Sequence, residues 1–316
     1  MPYSMTPDEV RAKYGRLSER RFFTMVDEKA GRAMVLEDCC ARGPAEWDLM
    51  NIKRAGGVVE DVKLRGTTLF MDAVLGERDI NFGPVSADIG GKGIKAIRIE
   101  GDTVRTTWYG IAGASVGIGA VLPQSPDVIR TEYPDGFEMG GGHRAHVDII
   151  TPKLVRVVVG VDDTDTKEEG ATWATVLRMG ENAPVGHLLD HRIVQLNPKS
   201  PNKTTNCCAS AASFAVREED VTELIEYCYD FVKGESYSED AVMAVFQGLK
   251  IPDELRRFGC SAKTVLLKLD DARGAAADNG VQIISVTGEG GTIGAVAAIG
   301  CFDLGPEAAG VPEDYR

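Results

Sequence analysis

At roughly 150 residues per domain, the chain of 316 residues and 34.0 kDa is long enough for about two domains and too long for a single small module. Its 43% hydrophobic and 26% charged residues exclude global disorder, and there is no run of about 18 apolar residues that could cross a membrane. The net charge of −13 excludes a broad cationic surface, and it is uneven: residues 1–154 hold 20 basic and 22 acidic side chains, residues 155–316 hold 15 and 26.

Thr6-Pro7-Asp8-Glu9 joins a capping residue to proline and acids, so one or two short helices are expected within 6–31. From about 34 to 154 the text becomes β-rich with glycine punctuation. WDLMNIKRAGG reads as a helix ending at Gly56-Gly57, TTLFMDAVLG as a strand, and IKAIRIEGDTVRTTWYG as a hairpin turning at Gly101-Asp102. VLPQSPDVIRTEYPDG reads as a connection. Thr151-Pro152-Lys153 marks a boundary, followed by LVRVVVGVDDTD, an apolar run of the kind that forms a buried central strand. Beyond it GATWATVLRMG reads as a helix, VGHLLDHRIVQLNP and CCASAASFAV as strands, and EEDVTELIEYCYDFVKG as a helix with Val221, Leu224, Ile225, Cys228, Phe231 and Val232 on one face. AVMAVFQG and VQIISVTG read as strands, PDELRRFG and LLKLDDARGAAADNG as helical or loop segments, and TIGAVAAIG as a helix of small residues. Strands alternating with helices give an α+β fold in two domains: a β-rich one over 1–154 and an α/β one over 155–316.

Three strings could carry chemistry. Asp162, Asp163 and Asp165 fall within four residues at the end of the apolar strand. Like charges that close resist ionising together unless a cation such as Mg²⁺ compensates them, although a solvated acidic turn has the same spelling. In Asn197-Pro198-Lys199-Ser200-Pro201-Asn202-Lys203-Thr204-Thr205-Asn206, Lys203 and Thr204 offer a cation and hydrogen-bond donors to phosphate oxygens; alone, such a loop is commonplace. Thr287-Gly288-Glu289-Gly290-Gly291-Thr292-Ile293-Gly294 is a glycine-rich turn before a helix, able to present backbone N–H groups to an anion, or simply to pack closely. Together they make the parts list of an ATP–Mg²⁺ site.

Elsewhere the signals are weaker. Gly110 to Gly119 reads as a tightly packed turn. His143 and His146, near Asp148, lie three apart in strand-like text, which sends them to opposite faces. Seven cysteines with no C-x-x-C spacing exclude the common zinc knuckle and fit a reducing compartment; with the charged N-terminus MPYSMTPDEVRAKYG in place of a signal peptide, a cytoplasmic location is expected. Cys207 stands closest to the phosphate-like loop.

GVDDTDTKEEGATWATV resembles the GIDDTDS…CTT signature of the archaeal synthetase that attaches agmatine to a tRNA-isoleucine anticodon cytidine. LNPKSPNKTTN resembles its RLNP…P-x-KTRGN segment and GTIGAVAAIG its G-x-x-GA-x-AAIG stretch, in the same order, over about 155–302. The resemblance implies a kinase-like domain that binds ATP and Mg²⁺ through the aspartates, with the family's phosphorylated threonine falling on Thr172. Ala171 and Trp173 depart from the CTT, and Thr205 replaces the arginine. Chain length and the domain placed in front resemble the methanogenesis marker protein 11 family of methanogenic archaea.

The implied protein is an ATP- and Mg²⁺-dependent phosphoryl-transfer or ligase-type enzyme. Its acceptor is an unassigned small molecule or protein, with a link to the maturation of a methanogenesis enzyme or cofactor. In it Asp162, Asp163 and Asp165 hold metal, and Asn197, Lys203, Thr204, Gly288, Gly290, Gly291 and Gly294 bind nucleotide. Asp162, Asp163 and Thr172 are catalytic, Thr172 as nucleophile or phospho-acceptor. Two alternatives are a non-catalytic nucleotide sensor or assembly factor and an RNA-modifying enzyme. Because the acid is concentrated where the nucleotide motifs lie, tRNA is disfavoured as a partner; homo-oligomerisation is left open.

Overall fold

A computed structural model describes residues 1–17 and 21–311. The fold is α+β, as the sequence pattern implies, and the chain divides into two compact units, Met1–Leu154 and Val155–Arg316. Among the described residues no helix is long and apolar enough to cross a membrane.

In the first unit an antiparallel set runs in the order Val59–Arg65, Thr68–Val74, Arg32–Asp38, Arg21–Asp27. The hairpin Gly91–Glu100 and Thr103–Ile111 turns at Gly101-Asp102 and continues onto the first residues of the long strand Arg144–Asp162. The helix Arg42–Ala55 ends before Gly56 and Gly57, both at positive φ, as WDLMNIKRAGG predicts.

Two expectations shift. Thr6 caps one helix, Pro7–Tyr14, with a reciprocal Glu9 bond. The second helix allowed within 6–31 is instead the strand Arg21–Asp27, whose consecutive buried Phe22, Phe23, Thr24, Met25 and Val26 suit a strand covered on both faces. The proline-rich connection holds a further strand, Arg130–Tyr133, which pairs with residues 148–150 and with Tyr3–Met5.

The core of this unit encloses an ion cluster. The Lys92 ammonium, fully buried, lies 2.8 Å from Glu37 and 3.1 Å from Asp48, with the Trp108 ring 5.6 Å away. Glu37, Cys39 and Asp48 are the group of potential metal ligands that converges among the described residues, and Lys92 already supplies the compensating cation there.

In the second unit the strands run in the order His187–Gln195, Cys208–Arg217, the end of Arg144–Asp162, Val242–Gln247, Gln282–Ser285. The expected central strand is therefore central, and its period-2 alternation explains both layers. Val155, Val157, Val159 and Val161 join the core formed with the helices Thr172–Glu181 and Val221–Glu235, where Leu224, Cys228 and Val232 are buried as the helical spacing predicts. Val158, Gly160 and Asp162 point the other way, toward the helix Thr292–Cys301. Gly160 lets that helix lie directly on the strand, because a Cβ there would collide with the Ala295 carbonyl oxygen. The helix itself is almost wholly buried, which its run of small residues permits.

Gly160→Ala should therefore cost about 1–3 kcal/mol in urea unfolding. Gly274→Ala, on the helix Leu269–Asp278 where a Cβ meets nothing within 4 Å, should be stabilising by about 0.5–1 kcal/mol. Equal effects at the two positions would contradict the packing described.

Candidate functional site

The strand that carries Val158 and Gly160 ends at Asp162, whose side chain comes out on the same face. Its carboxylate lies against Gly294, in the first turn of the helix Thr292–Cys301, where any Cβ would collide with it. Asp162 thus sits beside a helix N-terminus, where backbone N–H groups favour negative charge. The chain then turns through Asp163 at φ 56°, a left-handed conformation that aspartate tolerates better than most residues. Thr164 is buried, and both its backbone N–H and its hydroxyl donate to the Thr172 hydroxyl, at 3.3 and 3.0 Å. Its carbonyl accepts from the Tyr237 N–H at 2.8 Å, so the turn is tied to two flanking segments.

The second contribution is the loop between the paired strands His187–Gln195 and Cys208–Arg217. The Gln195 side-chain amide closes its neck by donating to the carbonyls of Asn206 and Cys207, and Leu196 N–H donates to Cys207 at 2.9 Å. Asn197 is buried, its side-chain oxygen accepting from the Lys199 N–H at 3.0 Å. The Thr204 hydroxyl donates to the Asp165 carboxylate at 3.2 Å, which joins this loop to the carboxylate turn. Lys203 is exposed and donates to the Pro198 carbonyl at 2.7 Å.

A cavity of about 270 Å³ opens between these parts. Asp162, Asp163, Asp165, Asn197, Lys203, Thr204, Gly290 and Gly294 all line it. The other three site residues expected from the sequence do not. Gly288 packs on the Glu239 carbonyl and Gly291 on the Asp162 backbone, each where a Cβ would not fit, and Thr172 is buried in its bonds to Thr164. The cavity also takes in Cys207, Cys208 and apolar side chains, of which Val265, Leu266 and Leu267 lie outside the three strings singled out in the sequence. Asp240, equally silent in the sequence, receives the N–H groups of Gly290 and Gly291 on its side chain and carbonyl. Of the three non-glycine residues with positive φ among those described, Asp163 and Cys207 both line this cavity. The glycine string in the first unit is not a turn but a strand end followed by the helical segments Gly113–Val116 and Gly117–Val121; Gly110 packs against Ser115 and Gly119 against Phe137, while a Cβ at Gly113 or Gly117 would meet nothing within 4 Å. His143 and His146 do not converge: His143 faces the Glu138 carbonyl and His146 stacks on Tyr109.

Electrostatics mark the carboxylate turn. Burial, reinforced by Asp163, pushes the Asp162 carboxyl well above the usual range. Burial, with Asp240 and Asp165 nearby, raises Asp163 to about 6. Burial beside Asp162 raises the Cys207 thiol to about 11, so it is protonated at neutral pH. Acids held this way gain from a cation. The three aspartates do not converge into a closed cage of ligands. An all-oxygen set beside open space, a hydroxyl and a lysine fits Mg²⁺, which takes one or two carboxylates and completes its shell with water and phosphate.

Comparison with known proteins follows the same division of the chain. Over 297 residues, 92% of this chain and 96% of the other, the sequence is 34% identical to the uncharacterized protein MJ0921 of Methanocaldococcus jannaschii. The chain belongs to the MJ0921 family. Within it, residues 158–254 match the TiaS TCKD domain. The tRNA-isoleucine 2-agmatinylcytidine synthetase TiaS of Thermococcus sibiricus is 33% identical over 152 residues, 46% of this chain and 35% of that enzyme. A crystal structure of TiaS in complex with its isoleucine tRNA and ATP is 26% identical, with a TM-score of 0.42, over 46% of this chain and 36% of that one. The chain spans about a third of the length of these TiaS relatives.

These relatives correct one expectation. The acidic balance of residues 155–316 disfavours tRNA as a partner, yet the same stretch is similar to enzymes named for a tRNA substrate. Net charge describes the far field of a domain and does not exclude a local binding surface, so the exclusion fails.

The raised Asp163 has a measurable consequence. Between the ordinary value of 3.8 and about 6, the folded chain holds a proton that the unfolded chain has lost, so this residue's contribution to stability falls as pH rises through that window. Without divalent ions, Asp163→Asn should have a higher urea midpoint than wild type at about pH 7.5, with the difference closing toward about pH 4 and narrowing when Mg²⁺ is added. A less stable Asp163→Asn at neutral pH would contradict this assignment.

Proposed function

We propose that residues 155–316 form a domain that binds ATP with Mg²⁺ and that the protein uses it to modify RNA, with a tRNA as acceptor. The observation that carries the reading is convergence: carboxylates, Lys203, Thr204 and a helix N-terminus, from three separate parts of the sequence, line one cavity. The similarity of this stretch to enzymes named for tRNA modification supports RNA modification over the small-molecule or protein acceptor first expected.

In this reading Asp162 and Asp163 hold the metal, with Asp165 joined to the phosphate loop through Thr204. Bound there, Mg²⁺ neutralises phosphate charge and orients the leaving group. Lys203 is exposed and held by a single carbonyl, so it can turn to a phosphate oxygen, and the Thr204 hydroxyl can do so by giving up its bond to Asp165. Gly290 and Gly294 line the cavity at the start of the helix Thr292–Cys301, and without a Cβ they make room there for the Asp240 and Asp162 side chains. Asn197, buried and bonded to Lys199, fixes the shape of the loop. Thr172 acts through Thr164: with its hydroxyl accepting two hydrogen bonds out of contact with the cavity, it is a positioning residue. Residues 1–154 are a separate domain whose part in the reaction is unassigned. The methanogenesis marker protein 11 name and a link to methanogenesis remain expectations of chain length and domain order, and nothing in this site draws on them.

The test is tRNA-dependent ATP consumption. With ATP, Mg²⁺ and bulk unmodified tRNA, the full chain should turn over ATP faster than without RNA, and Asp162→Asn should lower that rate at least a hundredfold. ATP binding with no turnover would favour a nucleotide sensor. Turnover indifferent to RNA would remove the RNA acceptor.

A further inference from the structure

We propose that the segment Thr264–Leu267 is the nucleobase wall of this site, a preformed apolar flap over which the purine of the bound nucleotide lies; the inference rests on the nucleotide reading above. Val265 and Leu266 are adjacent aliphatic residues, 52% and 59% exposed. Among the described residues of the second unit the exposed large hydrophobics are Trp173, Val265, Leu266 and Tyr237, and the two that are neighbours both line the cavity. Single exposed apolar side chains are ordinary; a contiguous pair inside a concave site otherwise rich in carboxylates and hydroxyls marks a surface that a ligand covers. Leu196, Leu267 and Ile293 extend it, each anchored in the core of the second unit.

The flap is held in place before any ligand arrives. Thr264 and Val265 donate their N–H groups to the Ser261 carbonyl, at 3.0 and 2.8 Å. The Ala262 carbonyl accepts from the Asn197 N–H at 3.0 Å, tying the flap to the phosphate-side loop. Just behind, the buried Lys263 ammonium donates to the carbonyls of Gln195, Ala308 and Gly310 at 3.1, 2.6 and 2.9 Å. A wall fixed by backbone bonds loses little freedom when a flat ring covers it. The cavity thus offers one set of groups for phosphate and metal and another with no charge at all, which is the split chemistry of a nucleoside triphosphate.

The experiment compares ATP with inorganic tripolyphosphate, which keeps the phosphates and lacks the base, by calorimetry on the full chain in Mg²⁺. The paired variant Val265→Ser with Leu266→Ser changes exposed side chains, and an unchanged urea midpoint confirms its fold. ATP should bind at least tenfold more weakly to the variant, while tripolyphosphate binds within about twofold of wild type. An unchanged ATP affinity, or an equal fall for both ligands, overturns the wall. A wild-type chain that binds neither ligand overturns the nucleotide reading itself.

Discussion

The contact on which the site depends is the one between the Asp162 carboxylate and the first turn of the helix Thr292–Cys301. A strand alternates its side chains, so the face that carries Val158 and Gly160 also carries Asp162. Once Gly160 has let the helix lie on the strand, the helix start arrives at Asp162, and only glycine at 294 leaves room for the carboxylate. An acid whose carboxyl burial and Asp163 push well above the usual range is thereby set at the start of a helix. Both loops of the cavity are placed relative to this point, one as the continuation of the strand past Asp162, the other through the bond from Thr204 to Asp165.

Strain and charge collect at this point rather than being spread over the unit. Asp163 takes a left-handed conformation and a raised carboxyl, Cys207 a left-handed conformation and a protonated thiol, and Asp240 adds a further acid. The left-handed backbone and, at neutral pH, the raised Asp163 carboxyl each cost stability. A site that is costly without its ligand is what a binding function leaves in a structure, because the ligand supplies the missing compensation.

Much of this was legible in the sequence where the signal is local. An apolar β-branched run ending in aspartates predicts both the central strand and the position of its acids, and the spacing from Val221 to Val232 predicts the helix and its buried face. The glycine string was half legible: it predicts close backbone approach, but which glycines face the cavity and which make room for Asp162, Glu239 and Asp240 depends on the neighbouring chain. Asp240 and Val265 lie in stretches that carry no motif, and Leu266 opens a segment that reads only as helical or loop. Thr172, singled out by a motif, turns inward because it opens a helix and meets Thr164. The strand Arg21–Asp27 was hidden for a related reason: burial on both faces erases the alternation that would reveal it.

The acidic charge is the feature whose meaning moves furthest. Counted over residues 155–316 it argues against nucleic acid; placed in the structure, part of it is a carboxylate turn suited to a cation, and the remainder does not exclude an RNA surface. The most direct test of the central claim, that this cavity is the nucleotide site, is a crystal structure of the full chain with Mg²⁺ and a non-hydrolysable ATP analogue. Metal is expected at Asp162 and Asp163, phosphates at Lys203, Thr204 and the start of the helix Thr292–Cys301, and the base against Val265 and Leu266. A nucleotide bound elsewhere, with this cavity holding only solvent, would contradict it.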